Sequence, residues 1–211
     1  MDNDLFSDAI TTVDALRDIY VPPTSNAANK EIPTIDDMAR RLIACASIVF
    51  LASADADGRC DVTPRGGPAG FVTVLDDGTV VIPDATGNRR IDTLRNVVLT
   101  GRLGLIFIVP GRGQTLRVNG RACVSARPEL LARLTAVGKP PKTALVVSPD
   151  EVFTHCPKAF VRSGLWQPDT WPSADSQPRP AEVLHAHLGD PAITLEQIEQ
   201  DQIDSLRYRL A

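Results

Sequence analysis

Apolar and polar positions follow two different periods along this chain, and the period changes near residue 47. Residues 4–20 carry Leu5, Phe6, Ala9, Ile10, Val13, Leu16 and Tyr20. That is helical spacing with one apolar stripe. The stretch "VPPTSNAANKEIP" is rich in proline and polar residues and lacks a period, so it reads as a linker. Thr34 then opens a second helix with Asp37 in the place of a capping-box acid, running through Met38, Leu42 and Ile43 to about Ala46.

Beyond that point the texture is that of strands. "SIVFLAS" and "CDVTP" flank Asp57-Gly58, a strong hairpin signal, and Pro64 is expected to end the second strand. "GFVTVL" and "TVVIP" flank Asp77-Gly78 in the same way. "RLGLIFIVPGRGQTLRVNGRACVSA" gives two longer strands about Pro110–Gly113, and "ALVVS" at 144–148 gives a short seventh. One helix is inserted at 88–98, with Thr86-Gly87-Asn88 as its expected cap. Other helices are expected at 128–137, in "PKAFVRSGLW", at 181–188 and at about 194–207, with 168–180 as loop.

Hairpins in series with helices at the corners predict a mainly β fold with flanking helices, an α+β arrangement. The strands are six or seven, antiparallel, and too closely spaced for parallel βαβ units. The expected organisation is an N-terminal helix and linker at 1–33, a barrel domain at 34–171 and a C-terminal helical extension at 172–211.

Charge and composition narrow the function classes. The formal net charge of -4 gives no basic field for general nucleic-acid binding. No apolar run is long enough to span a membrane. The start "MDNDLFSDAI" is acidic and unlike a secretory signal, so the cytoplasm is the expected location. Cys45, Cys60, Cys123 and Cys156 form no C-x-x-C and read as small free hydrophobes. His185 and His187 stand two apart and face different ways on a helix, so no metal site is expected.

Four segments could carry chemistry. In "DATGNRRIDTLRN", Arg89 and Arg90 fall in the expected first helical turn, where the dipole disfavours cations. Either Asp84 and Asp92 pair with them, or the turn binds an anion. In "TPRGGP", Arg65 follows a proline at a strand end between glycines that let the backbone approach a ligand. In "LRVNGRA", Leu116, Val118 and Gly120 share one face while Thr115, Arg117, Asn119 and Arg121 share a polar one. In "HCPKAFVRSGLW", His155, Lys158, Arg162 and Trp166 would share a helical stripe able to pack on a planar anion. A solvated face is the competing reading of each. No G-x-S-x-G elbow, phosphate loop or G-x-G-x-x-G fingerprint occurs.

Taken in order, "FLASADADGRCDVTPRGGPAGFV", "VVIPDATGNRRIDTLRNV", "GLIFIVPGRGQTLRVNGRA" and "FTHCPKAFVRSGLW" resemble the pyridoxamine 5′-phosphate oxidase-like flavoproteins. The likeness is to the bacterial FMN-dependent branch rather than to the vitamin B6 oxidase itself. The resemblance implies a split β-barrel, usually a homodimer, with FMN in clefts at the subunit interface. It implies that Arg89 and Arg90, with Asn88 beside them, grip the phosphate. It implies that Ile82, Pro83 and Asp84 meet the flavin through their backbone. Thr63, Pro64 and Arg65 would approach FMN from the loop after the second strand. Thr115 and Arg117 would reach the ring edge. Lys158, Arg162 and Trp166 complete the candidate set from the fourth segment.

The implied activity is an FMN-dependent oxidoreductase acting on an unidentified small molecule, with no catalytic side chain assigned. The alternative is a flavin-binding protein that senses or stores FMN without turnover. Other members of the superfamily use a deazaflavin or haem; for haem, His155 is the one axial-ligand candidate near the matched segments. The strand "GLIFIVP" supports an assembly: Leu105, Phe107 and Val109 face one way, Ile106 and Ile108 the other, and a small barrel interior takes only one face.

Overall fold

The computed structural model describes residues 6–85, 87 and 89–208. Seven strands form one antiparallel sheet: β1 (Ile48–Ala54), β2 (Cys60–Gly66), β3 (Thr73–Val74), β4 (Val80–Pro83), β5 (Arg102–Ile108), β6 (Thr115–Ser125) and β7 (Ala144–His155). Their spatial order is β2-β1-β5-β6-β7-β4-β3. The sheet curls into a half-barrel with helices against it, which is the α+β class the hairpin pattern predicts. The three expected hairpins are all present. At the first turn the Asp55 carboxylate accepts the backbone N–H groups of Asp57 and Arg59, each at 2.9 Å. Those bonds hold its pKa below the ordinary carboxylate range.

Several boundaries differ from the sequence reading. Pro64 does not end β2; it pairs with Phe50 inside the strand. β2 lies at the sheet edge, where a missing N–H need not break a ladder. "GFVTVL" yields only the two residues of β3, whereas β7 runs seven residues past Ser148. The extension pairs with β6 across a bulge between Asn119 and Gly120. Asp150, the extra residue there, takes Arg102 at 2.6 Å and Arg121 at 3.7 Å.

Gly120 makes that crossing possible. A Cβ at Gly120 would sit 2.2 Å from the Ser148 carbonyl oxygen, a backbone atom that cannot swing aside. Gly120→Ala is therefore expected to destabilise the fold by about 3 kcal/mol, the upper range for overpacking. A lowered urea midpoint with unchanged slope is the check.

The helices are α1 (Val13–Ile19), α2 (Ser25–Ala28), α3 (Asp37–Cys45), α4 (Asp92–Thr100), α5 (Pro128–Leu131), α6 (Lys158–Ser163), α7 (Pro180–Leu188) and α8 (Leu195–Tyr208). The chain divides into two compact units at Glu31/Ile32. In the first, α1 is shorter than the apolar stripe suggests because Thr12 caps it, accepting the N–H of Ala15 at 3.2 Å. In the second, Asp36 caps α3 by accepting the N–H of Ala39 at 2.7 Å, so the expected Thr34–Asp37 box does not form. α5 covers only the start of 128–137, and two short 3-10 turns interrupt the expected loop at 168–180.

Val49, Leu51, Leu105, Phe107 and Val118 fill the concave side of the sheet with Ile43 of α3 and Val97 of α4. α4 is also tied to the sheet by polar bonds. Asn96 donates to Ser53 Oγ at 3.1 Å, and Thr93 donates to Asp61 Oδ2 at 2.6 Å. Those bonds fix where the start of α4 points. The four cysteines are all free thiols, and all are exposed. No described helix is long and apolar enough to cross a membrane.

Candidate functional site

Period-2 alternation on β2 turns Asp61, Thr63 and Arg65 to one side, where they are half-buried, while Cys60, Val62 and Pro64 are exposed. β4 is buried along its length and delivers Pro83 and then Asp84 to the same end of the sheet. The Asp84 N–H is anchored on the Thr143 carbonyl at 3.0 Å. α4 begins alongside. Its N-cap, Ile91, provides no side-chain hydrogen bond, so among the described residues the first turn of α4 has no side-chain cap.

These three segments enclose a cavity of about 510 Å³. Its lining brings together Thr63, Pro64, Arg65, Pro83, Asp84, Arg89 and Arg90. The volume is that of a site for a cofactor-sized molecule, for which about 300–1,000 Å³ is typical. Six charged side chains line it: Arg65, Arg89, Arg90, Asp61, Asp84 and Asp92. Arg65 lies back along its own strand, donating to Thr63 Oγ1 and the Pro64 carbonyl, each at 3.0 Å. Arg90 Nε donates to Asp92 Oδ2 at 2.8 Å. Burial pushes the Asp84 carboxyl above its ordinary pKa, and the nearby Arg65 charge opposes that shift.

The arginine pair is not where the sequence places it. α4 starts at Asp92, so Arg89 and Arg90 precede the helix rather than forming its first turn. Arg89 has φ +64°, the left-handed region that helix backbone never uses. The dipole penalty that makes two first-turn arginines puzzling therefore does not apply. The pairing expected of Asp92 is present, and the guanidiniums still line the cavity mouth beside the open helix end. Thr86 and Asn88, the expected cap and a candidate site residue, lie outside the described residues.

The remaining candidates separate from this cavity. Ile82 is fully buried in the core. Thr115 and Arg117 sit on β6, two strands from β1 and outside the lining. Thr115 is only 3% exposed despite its place on the expected polar face. Nearby along the chain, Trp166 donates to the Arg112 carbonyl at 2.9 Å, and Gly113 lies against Pro157. Ile108, at the same end, is buried too. Arg117 stacks over Phe153 at 4.9 Å.

The stripe of four expected in "HCPKAFVRSGLW" does not form. His155 ends β7, α6 holds only Lys158 and Arg162, and Gly164 in the left-handed region ends the helix before Trp166. Trp166 instead stacks on Phe160, with centroids 6.1 Å apart. His155 is exposed and outside the cavity. Asp61 and Thr93 belong to the lining but escape the sequence reading. The signal for Asp61 is available in hindsight: it shares the strand parity of Thr63 and Arg65.

The family model for pyridoxamine 5′-phosphate oxidase matches residues 35–156. The chain belongs to this family. The match spans the sheet and every segment that lines the cavity. The chain matches no curated protein sequence. Solved structures similar to this family member include HupZ of Group A Streptococcus, 19% identical, covering 57% of this chain and 94% of that one, TM-score 0.44. A pyridoxamine 5′-phosphate oxidase-related, FMN binding protein of Nostoc punctiforme is 13% identical, covering 55% and 77%, TM-score 0.40. HutZ, the heme storage protein of Vibrio cholerae, is 13% identical, covering 58% and 94%, TM-score 0.39.

Proposed function

We propose that the cavity between β2, β4 and α4 binds FMN and that the protein is an FMN-dependent oxidoreductase acting on a small molecule. The observation that carries this reading is the convergence of Arg65, Arg89 and Arg90 on one cavity at an open helix N-terminus. Guanidiniums and free N–H groups suit a phosphate monoester. Thr63 adds a hydroxyl, while Pro64 and Pro83 bring rigid backbone to the walls. Bound FMN would supply the electron chemistry; these residues would hold and orient it. The visible spectrum of the purified protein, with mass spectrometry of what heat releases, is the direct test. A colourless protein that takes up no FMN would end the reading.

The assembly proposed with it is a homodimer. Phe50 of β1 and Ile106 of β5 are register partners on the convex sheet face, 38% and 39% exposed. Val62 of β2, 68% exposed, extends this patch and also lines the cavity. A second copy seated there would cover the apolar face and border the flavin site, in an isologous two-fold contact.

Phosphate recognition makes two binding results expected. FMN affinity should weaken as salt is added, because exposed guanidiniums are screened. Riboflavin, which has the ring but no phosphate, should bind at least tenfold more weakly, about 1.4 kcal/mol. Titration calorimetry with both ligands checks each, and equal affinities would move recognition from the phosphate to the ring. Steady reduction by a nicotinamide cofactor, with turnover, separates an enzyme from a flavin-storing protein.

A further inference from the structure

We propose that FMN binding at this cavity takes up one proton, held between Asp84 and the phosphate, so that Asp84 selects a phosphate monoester over an anion that carries no proton. The inference rests on the FMN reading and deepens it.

Charge balance in the cavity drives the argument. Three guanidiniums face three carboxylates, so the lining is formally neutral. A phosphate monoester brings about two negative charges at neutral pH. Two of the carboxylates already have donors: Asp92 has Arg90 at 2.8 Å, and Asp61 has the Thr93 hydroxyl at 2.6 Å. No described residue donates a hydrogen bond to the Asp84 carboxyl. Asp84 is half-buried at the cavity wall, and its backbone is pinned by Thr143, so it cannot simply withdraw. A carboxylate held there against a phosphate dianion repels it. A proton shared between the two removes the repulsion and makes a short charge-assisted hydrogen bond.

The groups around Asp84 leave it the natural acceptor. β2 contributes Asp61 and Arg65, the segment before α4 contributes Arg89 and Arg90, and α4 contributes Asp92. The segment leading into β7 lines the cavity only through Val137, while Lys139 and Lys142 are exposed outside it. No histidine lines the cavity. Burial already biases Asp84 toward its protonated form. The sign follows. A proton present in the complex and absent from the free site and the free phosphate dianion comes from solvent. Affinity must then fall with rising pH, by up to about tenfold per unit above both pKa values.

The experiment is calorimetric titration of FMN at pH 7.5 in two buffers of different ionisation enthalpy, on the parent and on Asp84→Asn. The expected result is uptake of about one proton by the parent and none by the variant, which keeps the shape of the side chain. Riboflavin on the parent should take up none. Inorganic phosphate should displace FMN from the parent at least tenfold better than sulfate, which carries no proton at this pH. FMN binding without proton uptake in the parent would overturn the inference and leave the FMN site standing, whether or not the variant folds. Equal uptake in Asp84→Asn, or equal competition by phosphate and sulfate, would overturn the role of Asp84. Failure of the parent to bind FMN would overturn the site reading and this inference together.

Discussion

Arg89→Ala combined with Arg90→Ala is expected to weaken FMN binding by roughly a hundredfold, about 3 kcal/mol, while the protein stays folded. Hydrogen bonds to charged groups contribute about 1.5–3 kcal/mol each, and both guanidiniums line the cavity at the open end of α4. The apo protein should change little. The Arg90–Asp92 pair has side chains 76% and 44% exposed, and exposed pairs contribute about 0–1 kcal/mol. Arg89→Gly is the informative companion. At φ +64° a glycine is unstrained, so this variant should stabilise the apo protein by about 1 kcal/mol and still lose affinity. Thermal unfolding and fluorescence titration report the two effects separately. A double variant that binds FMN as tightly as the parent would remove the phosphate assignment.

Phe50→Asp with Ile106→Asp is expected to turn a dimeric protein into a monomer and to cost it FMN. The two side chains are directly opposed on β1 and β5, on the sheet face opposite that of Val49, Leu51, Leu105 and Phe107. Placing two carboxylates there adds a desolvation penalty of several kcal/mol to any contact that buries them, beyond what a standard interface tolerates. Folding should survive, because both positions are part-exposed in the single chain. Sedimentation velocity at low micromolar concentration, with and without FMN, reads the assembly. A parent protein that sediments as a monomer with stoichiometric FMN would refute both the dimer and the shared site.

Local chemistry wrote most of the sheet into the sequence. Asp57-Gly58 and Asp77-Gly78 need backbone that glycine adopts freely, and the alternation on either side sets which residues face the core. The same alternation puts Thr63 and Arg65 on one side of β2, and the short connection after β4 brings Asp84 and Arg89 near them. That is why the cavity's composition was largely legible from segments "TPRGGP" and "DATGNRRIDTLRN".

What the sequence could not decide depended on partners distant along the chain. Pro64 stays within a strand only because β2 is an edge, and edge position is a property of the whole sheet order. Arg89 and Arg90 precede the helix, and where α4 sits is fixed by Thr93 on Asp61 and Asn96 on Ser53, bonds across 32 and 43 residues. Helical spacing in "HCPKAFVRSGLW" was a local signal that lost to the ladder of β7, which carries the chain extended as far as His155. The neutral balance of the cavity is only partly visible along the chain: Asp92 lies two residues from Arg90, but Asp61 meets the arginines only after β2 and α4 pack. Periodicity reports which face a side chain takes. Which charges then share one low-dielectric space is settled by packing, because desolvation acts only on groups that the fold has brought together.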